Sequence, residues 1–277
     1  MKAHHIEKYT SIADLIERSK GLCDGSKKGK WTSEHPPLTP MAGYFKSTYP
    51  QIVQSLIAGD IAYVAKAERM VAQLKDVELP STFGRRRRRD VVGTRCNMGE
   101  YMAGSPTCMR RKVTSEDDTQ PLRIAVDMFI SCAFTPQQVE ARGLAILALL
   151  VKIMQFRPVE LFVFCESRDN WDSNFQAIQL CEINSKPLDL ATSAVALCDA
   201  DISRRIFFPL LVEVVTDGSL CPPKAGREAQ VVRAELLGLR ENDLLIESQT
   251  LGSYDLSNPV GWVDKQMETL KERLTVE

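Results

Sequence analysis

The stretch that decides the fold runs from Ile124 to Thr135, "IAVDMFISCAFT". It opens as a continuous apolar run of β type and turns polar at Asp127, Ser131 and Thr135. A strand buried on both faces reads this way, without alternation, and the polar residues mark the loop at its end. Pro136 follows at a position suited to the first turn of a helix, and "PQQVEARGLAILALLVKIMQ" carries a wide apolar face. One strand and one helix are therefore predicted back to back.

Working downstream, "VELFVFCES" and "FQAIQLCEIN" read as strands, "ATSAVALCDADISRRI" as a helix and "FFPLLVEVVTDG" as a fourth buried strand. "REAQVVRAELLGL" then reads as helix, "DLLIES" as strand, and "SNPVGWVDKQMETLKERL" as a helix capped by Ser257 or Asn258 with Pro259 at its first position. This alternation predicts an α/β domain over residues 121–277, a doubly wound and mostly parallel sheet. Its polar strand ends should converge on one rim.

Upstream, the pattern changes. Residues 1–80 predict a smaller, mainly helical region, with apolar positions at Ile12, Leu15 and Ile16 and two further helices between Pro50 and Leu79, broken near Gly59 and Asp60. Residues 81–120 read as a basic linker and a Gly/Pro turn segment. "GSKKGKWT" is no phosphate loop, because a Walker motif has one more residue before its Gly-Lys and a Ser or Thr directly after.

The whole chain of 277 residues has a net charge of −1, which hides an asymmetry. Residues 1–113 hold 20 Lys and Arg against 11 Asp and Glu, and the remainder 15 against 25. All three histidines (His4, His5, His35) precede residue 36, so a histidine base or histidine-ligated zinc has no partner in the α/β region. The eight cysteines are scattered, without a Cys-x-x-Cys pair, and read as reduced thiols. The longest apolar stretch, Leu144 to Val151, is too short to span a bilayer, which requires roughly 20 residues. The start of the sequence also lacks the apolar core of a secretion signal. A cytoplasmic location without a membrane partner is expected.

Two groups of residues carry candidate chemistry. On the rim stand Asp127 and Ser131 after the first strand, Glu166 and Ser167 after the second, and Thr216, Asp217 and Gly218 after the fourth. Outside it, Arg85, Arg86, Arg87, Arg88 and Arg89 form an unbroken run, joined in sequence by Arg110, Arg111 and Lys112. Such runs are exposed loops or strips that neutralise phosphates, and aromatic residues for base stacking are few here, Phe83 and Tyr101.

The motifs "DMFIS" and "VEVVTDGS" resemble the von Willebrand factor A domain, whose metal-ion-dependent adhesion site uses Asp-x-Ser-x-Ser, a later Thr and an Asp after the fourth strand. The resemblance covers about residues 120–277. It implies a Mg²⁺ site of Asp127, Ser131, Thr192 (with Ser193 as second choice) and Asp217, and docking of a protein partner at the rim. Intracellular members of that family often serve AAA+ ATPases or nucleoprotein assemblies. Oxygen ligands of this kind suit a hard cation. The sequence departs from the motif at Phe129, where a serine would ligate. "GEYMAGSPTCMRRK" together with the Asp127 strand also resembles an uncharacterised group of tailed-bacteriophage proteins, which implies a phage source and a host-cytoplasm location.

Three functions stay open at this point. One is non-enzymatic protein docking through the rim, with or without Mg²⁺. A second is accessory binding of single-stranded DNA or RNA, in phage transcription or replication, through the arginine run. The third is Mg²⁺-dependent phosphoryl transfer through Asp127, Asp217 and Glu166.

Overall fold

β5, Leu122–Asp127, lies inside the sheet and is buried along almost its whole length, as its unbroken apolar run requires. The computed structural model describes residues 4–23, 47–79, 86–90, 95–96, 98–102, 104, 106, 108–113, 121–129, 134–168, 176–183, 188–214, 227–248 and 258–275. Within them, β5 pairs in parallel with β6 (Val159–Arg168) on one side and with β8 (Leu244–Ile246) on the other. β7 (Gln176–Ile183) runs antiparallel to β6, and β1 (His4–Tyr9) closes the edge parallel to β7. The order β1-β7-β6-β5-β8 makes a five-stranded, mostly parallel sheet in an α/β fold.

Alternation along β5 splits the core. Ile124 and Val126 face a large cluster that takes in α5 (Pro136–Met154), α6 (Leu190–Cys198) and α10 (Pro259–Thr275), whereas Ala125 joins Phe164, Ile178, Leu180 and Leu237 of α9 (Arg227–Leu237) on the other side. Helix α5 starts where its sequence says it should: Thr135 and Gln138 form a reciprocal capping box ahead of Pro136. Gly143 lets α5 approach α6, since a Cβ there would lie 2.4 Å from the Leu197 carbonyl oxygen.

The N-terminal residues belong to the same core. Besides the strand β1, which polar "HHIEKY" did not announce, they supply α1 (Ile12–Cys23), α2 (Tyr49–Ala58) and α3 (Ile61–Val71). Leu15, Ile52 and Leu56 are fully buried in the large cluster. The predicted break between the two later helices is Gly59, at φ +68°, followed by Asp60, whose carboxylate accepts from the Ala62 N–H.

The strand expected at "FFPLLVEVVTDG" is helical over its described residues, Phe207 to Val214. Following α7 (Ala200–Ile202), Ser203–Phe207 winds as a π-turn and continues into α8, Phe208–Val214. Two physical reasons account for the change. An apolar run of this length suits a helix buried all round as well as a strand, and residues 208–212 are all buried. Pro209 has no N–H to donate, and just ahead of it the Phe208 N–H reaches back five residues to the Ser203 carbonyl. Beside β5 the sheet instead holds β8.

A second, smaller sheet occupies part of the expected linker. β2 (Arg86–Asp90) and β3 (Arg95–Cys96) both pair antiparallel with β4 (Met109–Val113), in the order β2-β4-β3, and α4 (Met98–Met102) lies between β3 and β4 in sequence.

Candidate functional site

Because β5, β6 and β8 run parallel, their C-terminal ends share one rim. Asp127 ends β5, Glu166 stands near the end of β6, and Glu247 and Ser248 follow β8. Helix α9 covers this end with Arg233, which is 1% exposed. Its Nε donates to Glu166 and its Nη1 to Glu247. Glu166, itself fully buried, also accepts from Gln176 Nε2 at 2.9 Å, and Glu247 from Gln230 Nε2 at 2.6 Å. Asp127 accepts from the Phe129 N–H at 2.8 Å and from the Ser248 hydroxyl at 3.0 Å. From α5, Arg142 Nη2 donates to the Asp127 carbonyl at 2.7 Å. Two guanidiniums and three carboxylates thus form one buried network.

Electrostatics follow from this arrangement. Burial pushes the Asp127 carboxyl up to about 6, the Phe129 N–H opposes that rise, and Glu166 adds to it while Arg233 and Arg142 pull it back. Burial also moves Arg142 down to about 10, with Asp127 opposing. Arg233 moves up: burial works against its charge, but the carboxylates of Glu166, Asp127 and Glu247 outweigh burial.

The expected metal ligands fare unequally. Asp127 stands on the rim, with a hydrogen-bond donor on each carboxylate oxygen. Thr192, in the first turn of α6, gives its hydroxyl to the Asp189 carboxylate at 2.8 Å and the Leu56 carbonyl at 3.2 Å, and Ser193 donates to the Asp189 carbonyl. Ser131, Thr216, Asp217 and Gly218 lie outside the described residues. Phe129 packs its ring 5.2 Å from that of Phe208, over which Arg204 sits. Among the described residues, no group of three or more His, Cys, Asp or Glu is placed to hold a metal ion. Each Asp127 carboxylate oxygen already accepts one hydrogen bond from the protein.

Arg233, Glu247, Ser248 and Arg142 escape a reading of sequence. An arginine within "REAQVVRAELL" looks like a solvated position, and its one signal is that Arg233 stands four residues before buried Leu237, on the same helix stripe.

The small sheet is strongly basic, although β2 ends in Asp90. Its register sets Arg87 opposite Lys112, and Arg89 opposite Arg110, which is in turn opposite Arg95. Strand alternation assigns these five cationic residues to one face. Arg86, Arg88 and Arg111 fall on the other, together with Asp90, Cys96, Met109 and Val113. Like charges directly opposite each other destabilise a strand pair. Between β3 and β4 in sequence, α4 exposes Met98, Tyr101 and Met102, at 63%, 59% and 79%. Of the basic residues named from sequence, Arg86 to Arg89 and Arg110 to Lys112 enter this sheet, and Arg85 lies outside the described residues.

Compared with known proteins, the chain matches one family model, described as a domain of unknown function (DUF7192), over residues 2–270. No curated protein and no solved structure matches it.

Proposed function

We infer that this chain, which belongs to the DUF7192 family of domains of unknown function, is a non-enzymatic protein that binds single-stranded nucleic acid through its small basic sheet. The observation that carries this reading is the β2-β4-β3 register, which collects Arg87, Arg89, Arg95, Arg110 and Lys112 on one face. Five cations with no acidic residue among them are stabilised by a polyanion, and binding to phosphates releases the counterions of the nucleic acid. Residues two apart on a strand are about 6.8 Å apart, a spacing that lets successive side chains track the backbone of an extended strand. Exposed Tyr101, with Met98 and Met102, offers a stacking surface that phosphate binding alone would not need.

Docking of a protein partner at the rim, such as an AAA+ ATPase or a nucleoprotein assembly, ranks second, as does Mg²⁺-dependent phosphoryl transfer. Both need carboxylate oxygens free to meet a cation or a ligand. At this rim Asp127 and Glu166 meet donors of the protein itself, and the network ties β5, β6, β8 and α9 together. No described helix is long and apolar enough to cross a membrane.

The test is fluorescence anisotropy of a labelled single-stranded DNA or RNA oligonucleotide at increasing salt. With five phosphate contacts, log affinity falls against log salt with a slope of about −3.5, so affinity drops roughly 100-fold between about 50 and 200 mM. Binding that ignores salt, or equal affinity for vesicles of anionic lipid, would sink the proposal.

A further inference from the structure

Three of the described thiols are sealed in the core: Cys165 and Cys181 are fully buried, Cys198 is 3% exposed, and burial pushes all three up, away from the reactive thiolate. Cys96 and Cys108 differ. Cys96 is exposed and Cys108 half-buried, and both are free. Cys96 lies in β3 directly opposite Met109, the first residue of β4, and Cys108 is the residue just before it. Opposed Cα atoms in an antiparallel pair lie about 4.5–5.5 Å apart, and one residue along the chain brings the separation to about 6 Å. That lies within the range disulfides span, about 4.4–6.8 Å. The two side chains already share a hydrogen bond.

We propose that Cys96 and Cys108 form a reversible dithiol–disulfide site that staples β3 to β4 and closes residues 97–107, α4 included, into a covalent loop. A small-molecule disulfide such as oxidised glutathione supplies the oxidant. The thiolate of one cysteine attacks a sulfur of that disulfide, forming a mixed disulfide and releasing one glutathione thiolate. The second cysteine, as thiolate, then attacks the protein sulfur of the mixed disulfide and expels the second glutathione. Two protein thiols are oxidised, one glutathione disulfide is reduced to two thiols, and the two protons end on glutathione. Desolvation, and after it the hydrogen bond and charge interaction with Cys108, hold the Cys96 thiol above its ordinary value, so exchange quickens as pH rises and the thiolate forms. The loop so closed carries exposed Tyr101.

The experiment equilibrates the folded full chain with mixtures of oxidised and reduced glutathione, blocks remaining thiols, and reads intact mass and disulfide-linked peptides. We expect a mass that shows two fewer blocked thiols than in the fully reduced chain, one peptide pair joining Cys96 to Cys108, and reversal by reduced glutathione. Cys96→Ser and Cys108→Ser should each trap the remaining cysteine as a stable glutathione adduct. Overturning results are a wild-type chain that keeps glutathione on both cysteines without closing the bridge, or one in which either cysteine pairs elsewhere. The site stands or falls independently of nucleic-acid binding, because the readout is covalent.

Discussion

The strand-end rim and the small basic sheet both concentrate charge, and they do so in opposite ways. At the rim, Glu166 and Glu247 are answered by Arg233, and the buried Asp127 carboxylate by the Phe129 N–H and the Ser248 hydroxyl. In the small sheet, Arg87, Arg89, Arg95, Arg110 and Lys112 share a face with no acidic residue. A buried charge with a partner stabilises its neighbours geometrically and is closed to ligands, whereas charges of one sign on one face wait for a partner from outside. The difference motivates the proposal that the second region, rather than the first, binds a partner from outside.

The sharpest way to break the comparison is to remove the rim's internal answer. Arg233→Met leaves buried Glu166 and half-buried Glu247 without their cation, and stability should fall by about 3–5 kcal/mol in urea unfolding. Adding Glu166→Gln should recover part of that loss, since it removes one stranded charge. A rim that tolerated Arg233→Met would not be a closed network.

Next in size is a pH effect. Folded Asp127 holds its proton more tightly than the unfolded chain does, at about 6 against an ordinary 3.8. Its contribution to stability is therefore fully present below about pH 4 and is lost as pH rises through about 6, a change of about 3 kcal/mol. Asp127→Asn should flatten the stability curve across that window. A curve that rises from pH 4 to 6 and is unchanged in the variant would contradict the burial argument.

On the binding side, Tyr101→Ala should weaken single-strand affinity by about 1–3 kcal/mol while leaving the salt slope unchanged, the signature of a lost stacking contact. The smallest effect sharpens the contrast from within the sheet. Arg89→Gln relieves like charge across from Arg110, so hydrogen exchange of the β2 and β4 amides should slow at low salt by an amount equivalent to roughly 0.2–1 kcal/mol.

Much of the fold was legible in sequence. The β5 run and Pro136 at the head of the following helix are local signals, and each produced the element it predicted. At Phe207 to Val214 the signal failed, because burial on every side looks alike in a strand and a helix, and the π-turn ahead of Pro209 reveals itself only in three dimensions. β1 escaped because an edge strand with one wet face has no apolar run to show. Of the candidate sites, Asp127 could be read from its place after a strand, but its partners Arg142, Arg233 and Ser248 come from distant elements. The arginine run was conspicuous, yet its face was not: a stretch without alternation hides its own register, which only pairing with Met109–Val113 supplies.

The most direct measurement compares the two faces of the small sheet. One variant carries Arg87→Gln, Arg89→Gln, Arg95→Gln, Arg110→Gln and Lys112→Gln; the other carries Arg86→Gln, Arg88→Gln and Arg111→Gln. Affinity for a labelled single strand is titrated against salt in both, beside the parent chain. The account predicts that the first variant loses binding and salt dependence together while the second keeps most of both. Equal losses in the two variants, or none in the first, would contradict it.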